Sequence, residues 1–174
     1  MAQEVAVVVG VGPGLGWALV KRFAAAGMRV AAAARNAEKL REFIERNDAS
    51  TTPERIQCYA CDASEPTDVS ALFDALANDL GSPSLVAFNA GAFERASILE
   101  TTPAAFERCW RVGCFGGFLV GQVAARLMVA RGSGTILFTG ATASLRGSAA
   151  FANLAVPKFG LRASSDRRAC TSRT

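Results

Sequence analysis

Short apolar runs alternate with longer amphipathic stretches along most of the chain. The runs predict buried strands at residues 5–9, 28–34, 55–60, 84–88 and 135–139. The stretches between them place apolar residues at helical spacing and predict helices at 17–26, after Asn36, and at 65–80, 103–130 and 149–163. Such alternation requires right-handed crossovers between parallel strands. We therefore expect an α/β fold, a Rossmann-type doubly wound parallel sheet of about five strands with helices on both faces.

A glycine-rich turn, with glycines at Gly10, Gly14 and Gly16, joins the first strand to the first helix. In this position the free backbone N–H groups and the positive end of the helix dipole face one anion. Side chains at the three glycines would block a pyrophosphate or strain the turn. The sequence therefore predicts a phosphate-binding loop. The alternative is a turn that only packs the helix against the strand.

Length and charge limit the number of domains and the kinds of partner that we expect. The 174 residues suffice for one domain, predicted at 1–163, followed by a polar tail at 164–174 that we expect to be disordered. The net charge is +1 through Leu161, and the last 13 residues add +3, so we expect no nucleic-acid partner. We expect no apolar run to reach membrane-spanning length, and we expect no signal peptide because the first strand begins within a few residues of Met1. These features predict a cytoplasmic protein without a membrane partner.

Cysteine and histidine usage disfavours a metal site. Five cysteines, an odd number, fit a reduced compartment, and the chain has no histidine. Cys58 and Cys61 form a Cys-x-x-Cys pair without a second pair to complete a zinc site. We interpret them as two small apolar residues near a strand end, with a redox pair as the minor alternative.

Four motifs together resemble those of the short-chain dehydrogenase/reductase family. They are the glycine loop, Asp62 after the third strand, the Asn-Ala-Gly sequence at 89–91, and the block at 134–158 with a strand, a loop and a helix bearing a lysine. The resemblance covers residues 5–163 and implies a nicotinamide dinucleotide cofactor. The cofactor-binding residues that it implies are Gly10, Gly14, Leu15, Gly16, Arg35, Asn36, Asp62, Ala63, Asn89, Ala90, Gly91 and Lys158.

Arg35, at the end of the second strand, bears on the choice of cofactor. An acidic residue there binds the ribose 2′-hydroxyl of NAD, whereas a basic residue suits a 2′-phosphate. The planar guanidinium matches phosphate geometry. We therefore expect NADP(H) to be favoured over NAD(H), with Asn36 as a possible helper. The alternative is an exposed arginine without a partner.

The catalytic positions depart from the family pattern. The family uses a tyrosine, a lysine four residues later, a serine about thirteen residues before the tyrosine, and an asparagine in the long helix. When the lysine is aligned with Lys158, the tyrosine position holds Leu154, the serine position holds Ala141 and the asparagine position holds Gly113. The chain's one tyrosine is Tyr59, which we place on the adenine side. Because a missing general acid costs about 10²- to 10⁴-fold in rate, we expect weak or no reductase activity.

Two further features concern the last helix. Pro157 precedes Lys158 and predicts a helix that starts late or is kinked. Family members continue past this helix, so the resemblance implies that the last strands of the family are missing here. It also implies a homodimer through the helices at 103–130 and 149–163. Glycines 113–121 with Phe115, Phe118 and Leu119 belong either to that dimer face or to the contact with the sheet.

Three functions remain open from the sequence. The first is an NADP(H)-dependent oxidoreductase acting on a carbonyl or alcohol, with Lys158 contacting the cofactor ribose or donating a proton. The second is a cofactor-binding regulatory or assembly module without efficient catalysis. The third is an unstable truncated isoform.

Overall fold

A computed structural model describes residues 3–47 and 53–165. The strands are β1 (Val5–Val9), β2 (Arg29–Ala34), β3 (Ile56–Ala60), β4 (Leu85–Phe88) and β5 (Thr135–Phe138). The helices are α1 (Leu15–Ala25), α2 (Ala37–Asn47), α3 (Pro66–Asp79), α4 (Pro103–Trp110), α5 (Gly116–Arg131) and α6 (Ala152–Ser164). A π-helical segment, Arg111–Phe115, joins α4 to α5.

The five strands form one parallel sheet in the order β3-β2-β1-β4-β5, which confirms the predicted fold class. One apolar cluster lies between the sheet and α3, α5 and α6, and a second lies between the sheet and α1 and α2. The chain leaves β1 toward β2 and later returns to β4 on the other side of β1. This reversal of strand order opens a crevice at the carboxyl ends of β1 and β4, where ligands of such sheets bind.

Local sequence signals explain most helix boundaries. Asn36 caps α2 as predicted, since its Oδ1 accepts a hydrogen bond from the backbone N–H of Lys39 at 2.9 Å. Thr102 caps α4 in the same way, and Pro103 occupies its first turn. Helix α1 begins at Leu15, two residues before the predicted start, because the glycine loop itself contributes the first helical turn.

The glycines inside the long helical segment permit close contacts, as predicted. A Cβ on Gly113 would lie 3.1 Å from Pro157, and one on Gly117 would overlap a side chain of α6. Gly116 approaches Ala63 in the loop after β3, and Gly121 approaches Phe138 of β5. These glycines therefore serve close packing within the chain, and the predicted dimer contact of the two helices stays a prediction.

Helix α6 differs from the expected range at both ends. It begins at Ala152, so Pro157 lies inside it, and it continues through Ser164 into the predicted tail. The other residues predicted as a disordered tail lie outside the described part of the chain, apart from Ser165.

The continuous helical segment from Pro103 to Arg131 is 29 residues long, and its most apolar 18-residue window has a mean hydropathy of 1.6. The expectation that no apolar stretch reaches membrane-spanning length is therefore wrong by length and composition. Core helices of soluble proteins meet the same criteria. Here Val120, Ala124 and Met128 of α5 pack into the apolar cluster on one side of the sheet.

Candidate functional site

A groove of about 550 Å³ runs along the carboxyl ends of the central strands. Ten of the twelve residues predicted to bind a cofactor line it: Gly10, Gly14, Leu15, Gly16, Arg35, Asp62, Ala63, Asn89, Ala90 and Gly91. Asn36 and Lys158 are not among its lining residues. The structure therefore brings ten of the predicted residues together along one groove.

The glycine loop forms the floor of the groove, and its glycines have different roles. Gly10 has φ +92°, and a Cβ there would lie 2.3 Å from the backbone nitrogen of Ala90. A Cβ on Gly16 would lie 2.7 Å from the carbonyl oxygen of Gly10. Gly12 and Gly14, in contrast, have no atom within 4 Å of a built Cβ. Gly10 and Gly16 therefore hold strand, loop and helix together, whereas Gly12 and Gly14 leave the backbone open to a ligand.

The first turn of α1 faces this loop. Gly14 is the residue before the helix, and no side chain caps the free backbone N–H groups. The side chain of Leu15 is about half exposed at the rim. An uncapped helix N-terminus beside open backbone is suited to bind an anionic group such as a pyrophosphate.

Asp62 is held in place at the other side of the groove. Its Oδ1 accepts hydrogen bonds from the backbone N–H of Ser64 at 2.9 Å and from the Ser64 hydroxyl at 2.7 Å. These bonds, with a smaller contribution from the nearby guanidinium of Arg35, lower the pKa of Asp62. Ser64 was not among the predicted site residues, although a serine two residues after an aspartate is a recognisable turn pattern.

A chain of hydrogen bonds connects the glycine loop to α6. Asn89 Nδ2 donates to the Gly10 carbonyl at 2.9 Å, and the Thr139 hydroxyl donates to Asn89 Oδ1 at 3.0 Å. Lys158 Nζ then donates to the Thr139 carbonyl at 2.6 Å. Thr139 was missed as a site residue, yet it follows β5 as Asn89 follows β4, so the shared sheet edge was the available signal.

Lys158 is almost fully buried, with 7% of its surface exposed, and its burial lowers the pKa of its ammonium group. Its ammonium donates to the backbone carbonyl of Thr139, and Lys158 does not line the groove. The side chain of Asn36 likewise serves the cap of α2. This cap engages the Asn36 Oδ1, and the helper role of Asn36 stays a prediction.

The three altered catalytic positions lie around Lys158 without forming a set of reactive side chains. Leu154 is partly buried one turn before Lys158, and Ala141 is exposed in the loop after β5. Gly113 packs against Pro157. None of these three side chains can give a proton to a substrate.

Tyr59 does not line the groove. Its hydroxyl lies 3.0 Å from Asp79 Oδ2, in a separate cavity at the edge of β3. Burial and this carboxylate raise the pKa of Tyr59. Tyr59 therefore lies outside the groove and cannot replace the missing acid, and its placement on the adenine side stays a prediction.

The Cys-x-x-Cys pair is split between the two faces of the sheet. Cys61 is buried in the cluster beside α3 and α5, and Cys58 packs against the cluster beside α1 and α2. Both are free thiols, and burial raises the pKa of each. The two residues therefore act as separate packing groups.

A protein-family model and solved structures match this chain over most of its length. A family model described as short chain dehydrogenase matches residues 4–171. A short-chain dehydrogenase from Rhodopseudomonas palustris is 41% identical, with a TM-score of 0.84 over 92% of this chain and 74% of its own. A gluconate 5-dehydrogenase from Burkholderia cenocepacia, solved in complex with NADP and tartrate, is 27% identical, with a TM-score of 0.80 over 94% and 63% of the two chains.

Curated relatives match this chain over part of their own length. A short-chain dehydrogenase/reductase of Armillaria gallica is 31% identical over 91% of this chain and 61% of its own. The chain spans between 47% and 61% of the length of the first three such relatives.

Proposed function

Because the chain belongs to the short-chain dehydrogenase/reductase family, we propose that it binds NADP(H) in the groove at the carboxyl ends of the strands. The observation that carries this proposal is the glycine loop, whose backbone is open at Gly12 and Gly14 and faces the uncapped first turn of α1. A pyrophosphate needs close access to backbone N–H groups, and this loop offers it.

Two neighbouring groups of the groove suit other parts of the same ligand. Asp62 keeps its carboxylate ionised beside Ala63, which suits the amino group of an adenine ring. Arg35 is exposed at the end of β2, where a 2′-phosphate would lie. The preference for NADP(H) over NAD(H) rests on Arg35 alone, since Asn36 is engaged in capping α2.

When bound, the nicotinamide dinucleotide supplies a hydride for reduction of a carbonyl or accepts one from an alcohol. The residues of this chain bind and orient it but do not provide a tyrosine to protonate the product. Leu154 and Ala141 are inert, and Lys158 is turned toward the Thr139 carbonyl. We therefore propose oxidoreductase chemistry at a rate about 10²- to 10⁴-fold below that of a complete site.

A second candidate is a cofactor-binding regulatory or assembly module that works as a homodimer. It is favoured by exposed apolar side chains along the helical side of the molecule. Phe118 on α5 is 46% exposed, and Val156 and Phe159 on α6 are 44% and 43% exposed. Trp110 and Phe115 stack beside Phe118. A second copy of this chain would remove this apolar face from water.

The cofactor assignment is tested by titrating the purified protein with NADPH and NADH under calorimetry. We expect tighter binding of NADPH, and we expect Arg35→Gln to weaken NADPH by roughly tenfold while leaving NADH unchanged, because a guanidinium–phosphate contact is lost. Arg22→Gln removes the same charge from the far end of α1 and serves as the control. Equal affinity for both cofactors, unaffected by Arg35→Gln, would refute the assignment.

The activity assignment is tested by restoring the family's groups. The Ala141→Ser/Leu154→Tyr variant places a phenol one helical turn before Lys158, and we expect at least a tenfold gain in NADPH-dependent turnover over a carbonyl panel. A folded double variant that binds NADPH without gaining turnover would show that the missing acid does not limit the rate. A fast wild-type protein would refute weak activity directly.

A further inference from the structure

Arg108 lines the groove and is not used by the function proposed above. It lies on α4, one turn before Val112 of the π-helical segment, which lines the same wall. Its Nη2 donates a hydrogen bond to Glu94 Oε2 at 2.5 Å, and a little over half of each side chain is exposed. A guanidinium thus stands at the wall of a groove suited to an anion, paired with a carboxylate of the chain.

The backbone of Glu94 is fixed, although its carboxylate is exposed. Asn153 Nδ2 of α6 donates to the Glu94 carbonyl at 3.0 Å. The preceding Phe93 stacks on Phe151 with ring centroids 5.2 Å apart and planes 10° apart. Rotation of the Glu94 side chain would therefore release Arg108 without any movement of the loop that carries Glu94.

The charges of the groove favour such a release. Arg35 and Arg108 line the groove together with one carboxylate, Asp62. Asp62 is already bonded to Ser64 and lies near Arg35, so it does not compensate Arg108. Exposed ion pairs are weak, and a phosphate group offers a guanidinium more negative charge and the same two-pronged geometry.

We propose that Arg108 is a second anion-binding residue of this groove, paired with Glu94 before the nucleotide binds and with a phosphate of the nucleotide afterwards. The inference rests on the proposed nucleotide binding and adds a residue and an exchange of partners to it. Glu94 acts as a competitor for the guanidinium, so removal of its charge favours the ligand.

Calorimetric titration with NADPH tests this exchange in a double-mutant cycle. We expect Arg108→Gln to weaken binding by about tenfold, as for loss of a charge-assisted hydrogen bond at a half-exposed site. Glu94→Gln should tighten binding by about threefold. In the Arg108→Gln background, Glu94→Gln should have no effect. Arg22→Gln is the charge-matched control, and unchanged melting temperatures show that each variant is folded.

The outcomes separate this inference from the function on which it rests. A wild-type protein that binds no NADPH refutes both. A wild-type protein that binds NADPH, with Arg108→Gln binding equally well, refutes only the role of Arg108. If Glu94→Gln weakens binding as much as Arg108→Gln does, the ion pair is a structural brace and the exchange is refuted.

Discussion

Replacing Gly16 by alanine should destabilise the whole protein, although the change adds only one methyl group. The built Cβ lies 2.7 Å from the Gly10 carbonyl oxygen, 2.9 Å from the Val11 Cα and 3.1 Å from Asn89 Nδ2. The first two neighbours are backbone atoms of the glycine loop. Neither can move aside without shifting the loop against β1.

The expected loss follows from three contributions. Overpacking in a rigid environment costs about 1–3 kcal/mol. Displacement of Asn89 from the Gly10 carbonyl, now 2.9 Å away, costs about 1 kcal/mol more. The higher helix propensity of alanine returns up to about 1 kcal/mol. The free energy of unfolding of Gly16→Ala should therefore fall by about 2 kcal/mol, which lowers Tm by about 4–8 °C.

Urea unfolding followed by far-UV circular dichroism measures this loss, and Gly12→Ala is the matched control. Gly12 belongs to the same loop, but a Cβ there meets no atom within 4 Å. Its replacement should be neutral or stabilising by up to about 1 kcal/mol through the unfolded chain. If the two variants unfold within about 0.5 kcal/mol of each other, the close contact at Gly16 does not constrain the loop.

Two other predictions concern stability at high pH and assembly. Burial, with smaller contributions from neighbouring carboxylates, raises the pKa of Cys61 to about 12. The thiol therefore ionises at lower pH in the unfolded chain than in the folded protein, so the free energy of unfolding should fall as pH rises from about 9 toward 12. Cys61→Ala should flatten this slope in urea unfolding between pH 8.5 and 10.5; an unchanged slope would contradict it. Phe159→Glu should convert the proposed dimer to a monomer in light scattering, whereas Leu99→Glu, on an exposed loop, should not; a monomeric wild type would contradict the dimer.

The fold was predictable because its signals are local. Buried runs such as β1, the cap at Asn36 and the proline that starts α4 each act within a few residues, and the structure confirms all three. The start of α1 was misplaced by two residues because Leu15 and Gly16 have no distinctive helical pattern. Their helical conformation depends on the close packing of Gly16 against the backbone of Gly10 and Val11.

The site was predictable only where a backbone motif defines it. The glycine loop and the groups that end β3 and β4 were located from the sequence, since parallel strands bring their carboxyl ends to one edge. The Thr139–Lys158 and Arg108–Glu94 pairs join residues 19 and 14 positions apart in side-chain geometries that no short pattern specifies. The same holds for Tyr59, whose hydroxyl lies within hydrogen-bond distance of both Gln57 and Asp79.

The altered positions near Lys158 are coupled through packing. The ring of Pro157 lies so close to Gly113 that even a Cβ there would be 3.1 Å away. A side chain at position 113 would press its Cβ against Pro157, so the proline, which lies in the helix that carries Lys158, would have to shift by a few tenths of an ångström. Restoring the family's asparagine alone should therefore destabilise the protein and not improve a reaction.

The groove proposed to bind the nucleotide does not depend on those side chains, because its floor is built from backbone. Its floor consists of backbone at the ends of β1 and β4, and the Asn89 side chain holds that backbone. Lys158 meets this network through the carbonyl of Thr139, a contact that needs no tyrosine at Leu154. Loss of the catalytic side chains would therefore leave the binding surface intact, which is the physical basis for proposing cofactor binding with little turnover.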